Sequence, residues 1–225
     1  MKVLVANTNP LHHDLVDRLT SSFPEGEFTY IDRSEDLTMS SLLNIDPECI
    51  FFPHWSTIIP VELYEKWECI VFHMTDLPYG RGGSPLQNLI IRGHQHTVVS
   101  ALRVVEELDA GDIYLKYPLS LHGSAEEIFI RAGKVIESMI LDILRNRPVP
   151  EHQTGTPTIF RRRTPEMSSI KLLSTLDEAY DMIRMLDAPG YPPAFFETDE
   201  LRFEFSRVSR RKEELICDVR IKEKK

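Results

Sequence analysis

Two residues in this chain have the type and setting for proton chemistry near neutral pH. His73 closes the run "CIVFH" and is followed by "MTDLPYGRGGSPLQ", a loop dense in Pro and Gly. Cys69 to Phe72 read as a strand, which puts an imidazole at the strand's carboxyl end. There it can exchange a proton or stabilise developing negative charge. Asp109 lies in "ELDAGDIY", a tight turn between two strand-like runs. A carboxylate in that position can hold an imidazole in one tautomer and stabilise its cation. Asp and Gly also build turns for geometric reasons alone, so turn-forming is the competing reading of Asp109. A second strand-end histidine, His54, precedes Trp55 and Ser56. Trp55 reads as a stacking surface or as a half-buried loop aromatic. Arg81 is suited to an anion, or to locking its own loop through backbone carbonyls. The close pair His94 and His96 has no further ligands at useful spacing, and no metal site is expected.

Such residues need elements to position them. Lys2 to Ala6 read as a buried strand, followed by an amphipathic helix through Leu11, Leu15, Val16 and Leu19. "EFTYID", "CIFFPH" and "CIVFH" read as strands, with short helices at "SSLLNID" and "PVELYEKW". This alternation implies parallel strands with crossover helices, and sites outside the strands' carboxyl ends. His54 and His73 both occupy such ends. Neither GxGxxG nor GxxxxGK[ST] occurs, so neither a dinucleotide fold nor a P-loop is signalled. A helix from Ser84 to Arg92 stops at Gly93, and "TVVSALRVVEE" and "DIYLKYPLSL" read as strands. "SAEEIFIRAGKVIESMILDILRN" reads as a long helix, with Ser124 and Glu127 in capping-box spacing. "EHQTGTPT" is a polar linker. Beyond it come a helix "LDEAYDMIRML" and a hairpin of "LRFEFSRV" and "ELICDVRI". The expected fold class is α/β. A Rossmann-like, mostly parallel sheet flanked by helices fills residues 1–150. A linker and a small β-rich α+β subdomain fill residues 151–225.

A length of 225 residues suits one medium α/β domain with a small appendage. The apolar fraction of 42% and charged fraction of 27% are those of a soluble globular protein. No apolar run reaches membrane-spanning length, and "MKVLVANTNP" lacks the apolar core of a signal peptide, so a cytoplasmic location without a membrane partner is expected. Cys49, Cys69 and Cys217 are far apart and read as reduced, mostly buried thiols. The net charge of −9 argues against a broad phosphate-binding surface and disfavours a nucleic-acid substrate.

His73, Leu77, Pro78, Arg81, Gly82, Pro85 and Gln87 keep fixed offsets, and the register runs without a gap to Leu108, Asp109, Gly111 and Asp112. They fall on the matching positions of a pattern made of a strand ending in Asn-x-His, a loop Pro-Ser-Leu-Leu-Pro-x-Tyr-Arg-Gly, a helix start Pro-x-Gln and a turn Leu-Asp-x-Gly-Asp. This pattern resembles the catalytic domain of the 10-formyltetrahydrofolate-dependent formyltransferases. That family includes methionyl-tRNA, glycinamide-ribonucleotide and nucleotide-sugar formyltransferases. "PHWSTIIP", "RRRTPE" and "IRMLDAPGYPPAFF" are similar to the family more weakly, and the N-terminal part is shorter than usual.

The resemblance implies 10-formyltetrahydrofolate as formyl donor, attack by a primary amine, and no metal. It implies that His73 donates to the oxygen that becomes negative or shuttles the amine proton, and that Asp109 orients His73. It further implies donor-pocket contacts from His54, Ser56, Thr75, Leu77, Pro78 and Leu108. Acceptor contacts fall on Arg81, Gly82 and Trp55. One position departs: Val71 stands where the family has Asn, and valine has no donor for an oxyanion. Loss of one such donor typically slows a reaction by about 10²–10³-fold. Three accounts stay open. His54, Ser56 or a backbone N–H replaces the donor, the enzyme is slower, or the domain binds without catalysing. The leading expectation is an N-formyltransferase acting on a small-molecule amine, a nucleotide-linked amino sugar, with tRNA an unlikely partner. The alternatives are a methionyl-tRNA formyltransferase-like enzyme, a formyltetrahydrofolate hydrolase, or a silent folate- or nucleotide-binding relative. A homodimer built partly from the C-terminal hairpin is an open option.

Overall fold

A computed structural model describes residues 1–224. The apolar runs Lys2–Ala6 (β1), Cys49–Phe52 (β3) and Glu68–His73 (β4) form the middle of a six-stranded sheet, with Glu27–Ile31 (β2) at one edge. His96–Arg103 (β6) and Ile113–Ser120 (β7) complete it, in the order β2-β1-β3-β4-β6-β7. β1 pairs in parallel with β2 and β3, and β3 with β4. β6 runs antiparallel to β4, with His73 opposite Ser100. The expected mostly parallel, Rossmann-like sheet is thus present. The chain passes from β1 outward to β2 and then back to β3, so the strand order reverses between β1 and β3.

Side chains alternate across a strand, so one face of this sheet carries Leu4, Ala6, Ile50, Phe52 and Cys69. They form one buried cluster with Leu42, Leu63 and Trp67, and Val71 and Trp55 pack against it. Each fully buried Leu, Ile or Phe in such a cluster contributes about 1.5–3 kcal/mol. The same alternation turns His73, two residues beyond Val71, toward this face.

The expected first helix is interrupted. Pro10–His12 form one 3-10 turn, capped by the Asn9 side chain on Leu11 N, and the α-helix α1 spans Leu15–Ser22. Short helices α2 (Met39–Ile45) and α3 (Val61–Tyr64) follow β2 and β3. β6 ends at Arg103, sooner than expected, although the Val104 N–H still donates to the Cys69 carbonyl in the register of the β4 pairing. The turn into β7 is tight: Arg103 N donates to Asp112 O, and a Cβ on Gly111 would lie 1.9 Å from the Arg103 carbonyl oxygen. Only glycine fits there. Cys49 and Cys69 are buried free thiols, each pushed up to about 12 by burial.

The chain groups into two compact units, neither contiguous in sequence. The first holds Met1–Gly82, Thr97–Leu119 and Ile130–Ile159; the second holds Gly83–His96, Ser120–Phe129 and Phe160–Lys225. The first contains nearly all of the sheet just described. The second contains helix α4 (Pro85–Ile91), helix α6 (Leu176–Arg184) and the strands Ala194–Glu197, Leu201–Arg210 and Leu215–Glu223. The last two form the expected antiparallel hairpin, with a bulge between Ser206 and Ser209. Helix α5 (Ala125–Asn146) starts at the expected capping box: Ser124 N donates to Glu127 Oε2, and Glu127 N to Ser124 Oγ. Among the described residues, no helix is long and apolar enough to cross a membrane.

Candidate active site

His73 is 8% exposed at the carboxyl end of β4, and its two ring nitrogens face different partners. Nε2 lies 2.7 Å from the Gly80 carbonyl oxygen. A carbonyl only accepts, so Nε2 carries the hydrogen and donates. Nδ1 faces Asp109 Oδ2 at 3.6 Å. An imidazole that takes up a proton at Nδ1 therefore meets a carboxylate directly. Asp109 is itself held: the Gly82 N–H donates to the same Oδ2 at 2.8 Å. Its backbone sits in the left-handed region (φ 55°), which Asp and Asn tolerate better than other non-glycine residues. The pair expected from two separate runs is thus assembled in one unit of the fold.

The loop between β4 and β5 (Arg81–Gly82) is fastened on several sides. The Gly80 and Arg81 N–H groups donate to Thr158 O, and Thr158 N donates to Pro78 O. Gly80 adopts φ 77°, and the Leu77–Pro78 peptide is cis. Thr75, fully buried, donates its hydroxyl to the Gly80 carbonyl at 3.4 Å. Arg81 is 8% exposed; its Nη1 donates to Glu107 Oε1 at 2.9 Å, and its Nε and Nη2 donate to Gln153 Oε1 at 3.2 and 2.9 Å. The loop-locking reading of Arg81 describes these bonds, with side-chain oxygens in place of backbone carbonyls. Leu77 is buried in the core, whereas Leu108 is 67% exposed on the Asp109 turn.

His54 stands apart from the pair. Its ring stacks on His12 with centroids 4.5 Å apart and planes 12° off parallel, beside the carboxyl end of β1. Burial, with a smaller contribution from His12, pushes its pKa down to about 3, so the ring is neutral at physiological pH. Thr8 bridges to the same segment, donating both N–H and Oγ1 to His54 O. Trp55 meets Phe52 edge-on at 5.6 Å. Its indole Nε1 is buried with no hydrogen-bond partner among the described residues. Ser56 is exposed. Sequence reasoning missed Gly80, Glu107 and Gln153, because a glycine carbonyl, one acidic residue and a linker amide carry no pattern of their own.

Comparison with known proteins bears on these features. A model described as "Formyl transferase" matches residues 17–129, and one described as "Methionyl-tRNA formyltransferase, C-terminal domain" matches residues 165–222. A methionyl-tRNA formyltransferase of Clostridium perfringens is 27% identical over 178 residues, 75% of this chain and 57% of that protein. The chain thus spans little more than half the length of that curated relative. A solved structure named methionyl-tRNA formyltransferase from Clostridium thermocellum is 46% identical, with a TM-score of 0.97 over 100% of both chains. HypX from Aquifex aeolicus, solved in complex with tetrahydrofolic acid, shares the fold. It is 18% identical at a TM-score of 0.75, over 92% of this chain and 38% of that one. The relatives named for methionyl-tRNA overturn the expectation that tRNA is an unlikely partner and a nucleotide amino sugar the acceptor. Net charge misled because it sums the whole chain, whereas a polyanion is met by local groups. With the His–Asp pair in place and a family model spanning half the residues, this chain belongs to the formyl transferase family.

Proposed function

We propose that the chain is an N-formyltransferase that moves a formyl group from 10-formyltetrahydrofolate to the amino group of methionyl-tRNA. The observation that carries the transfer chemistry is the His73–Asp109 pair, 3.6 Å apart at the end of β4, with the carboxylate fixed by the Gly82 N–H. The choice of acceptor rests on the whole-chain likeness to a protein named for methionyl-tRNA. Residues 1–150 carry the chemistry in this reading, and residues 151–225 serve as linker and accessory subdomain.

The strand-end surface suits a folate ring. Trp55 has a buried indole N–H without a partner among the described residues, and Val71 and Trp55 both pack on the apolar cluster. A flat heteroaromatic ring with acceptor atoms matches an apolar surface with one free donor. Trp55 would line it, with Ser56 beside it in the same loop and exposed Leu108 at the Asp109 turn. When bound, the folate supplies an electrophilic one-carbon unit. His73 holds a hydrogen at Nε2, which becomes available to a reacting oxygen or nitrogen once the Gly80 carbonyl is displaced. Asp109 meets the ring when Nδ1 takes up a proton, keeping the charge local and the ring oriented.

A second reading draws on Val71, which places a hydrocarbon where the family has an amide donor: a relative that binds folate without turnover. One experiment separates the two. The purified chain is given 10-formyltetrahydrofolate and methionyl-tRNA, and the aminoacyl group is weighed after release. A formyl mass gain that disappears in His73→Ala supports transfer. Folate binding without any mass gain supports the silent relative.

A further inference from the structure

Gln153 lies in the linker after α5, a stretch with no regular structure and no sequence pattern suggesting a role. The backbone around it runs beside the start of β7: Ile113 and Glu151 exchange both N–H···O bonds, at 2.8 and 2.9 Å. This brings the Gln153 side chain onto both loops that carry the active pair. Its Nε2 donates to Asp109 O at 2.8 Å and to Gly111 O at 2.9 Å. Its Oε1 accepts from Arg81 Nε and Nη2. The orientation of the amide is dictated by its partners, since carbonyls only accept and a guanidinium only donates. Both amide hydrogens are therefore committed to the Asp109 turn, and the oxygen to the loop.

Two links then close a ring. Arg81 is followed directly by Gly82, whose N–H is bonded to Asp109 Oδ2. Asp109 is gripped twice: at its backbone carbonyl by Gln153, and at its carboxylate by the strand that Gln153 holds through Arg81. Resting on the formyl-transfer reading above, we propose that Gln153 is a positioning residue. It touches no reacting atom, and it sets the Asp109 carboxylate against His73 by clamping the 109–111 turn to β5.

Two variants separate its arms. Gln153→Ala removes both. Gln153→Glu keeps acceptors for Arg81 but loses the donors to Asp109 and Gly111, and it sets negative charge against two carbonyls. The test uses the full chain and two kinds of readout. In formyl transfer, both variants should lower kcat by about 10–100-fold with KM changed less than about threefold, as expected when orientation and not binding is lost. In NMR of the resting protein, which needs no turnover, the Gly82 amide should exchange about tenfold faster in Gln153→Ala, and the His73 ring nitrogens should shift. Thermal melting and amide protection in α5 report whether each variant is folded. A folded variant with unchanged Gly82 exchange and unchanged His73 signals would overturn the proposal, whatever its activity. Should the wild-type chain transfer no formyl group, the functional reading fails by itself, and the two resting-state signals still decide whether Gln153 holds the pair.

Discussion

Replacing Asp109 by Asn tests the pair most directly, because it removes a charge and little else. Asn tolerates the left-handed backbone found at Asp109 (φ 55°), and its side-chain oxygen can still accept from Gly82 N. The fold should therefore survive, losing about 1 kcal/mol as a charge-assisted bond becomes a neutral one. Catalysis should suffer far more. Two unit charges at the observed 3.6 Å attract by about 4–5 kcal/mol at an effective dielectric of about 20. The transition state holds only part of the transferred proton, so this is a ceiling. Since each tenfold change in rate corresponds to about 1.36 kcal/mol, kcat should fall by about 10²–10³-fold. The assay is the initial rate of formyl transfer to methionyl-tRNA at saturating donor, with urea unfolding of the same preparation. A folded Asp109→Asn protein that keeps at least a third of the wild-type rate would refute the assignment of Asp109 as the partner that charges and orients His73.

Three further outcomes are expected. Val71→Asn, which restores an amide donor beside His73, should raise the transfer rate by about tenfold or more; an unchanged rate would locate a substitute donor elsewhere, with the Trp55 indole N–H the first to test. Gly111→Ala must move the turn away from the Arg103 carbonyl, and should lower unfolding free energy by about 1–3 kcal/mol in urea titrations, along with activity; a stability equal to wild type would contradict the close approach. His54 titrates near 3 when folded and near its ordinary 6.5 when unfolded. Unfolding below that ordinary value takes up a proton, so this contribution is complete above about pH 6.5 and is lost as pH falls toward 3, by up to about 1.4 kcal/mol per unit. His54→Phe, which keeps an aromatic ring for the stack, should show a shallower loss of stability between about pH 6.5 and 4.5; an identical slope would place the titration on another group.

Much of the scaffold was legible because it is local. Apolar runs of four to six residues, such as Cys49–Phe52, read as buried strands, and the Ser124–Glu127 spacing marked the start of α5. Errors came where a local bond competed with periodicity. The Asn9 cap and the 3-10 turn at Pro10–His12 divided the first helix. The acceptor was misjudged for a different reason: composition averages charge over a surface that a partner meets only in part.

His73 and Asp109 could be named from the sequence because each ends or turns an element whose type is set by its neighbours, and because the offsets between them match a family pattern. What sequence order cannot express is which polar groups are used up once the chain folds. Gly80 caps His73 Nε2, Gly82 fixes the Asp109 carboxylate, and Gln153 reaches Arg81 across 72 positions. His54, equally well placed at a strand end, was drawn onto His12 and neutralised by burial. Strand and helix type follow from periodicity within a few residues. The division of hydrogen-bond donors and acceptors among distant loops follows only from packing, and in this chain it decided how the His–Asp pair is held.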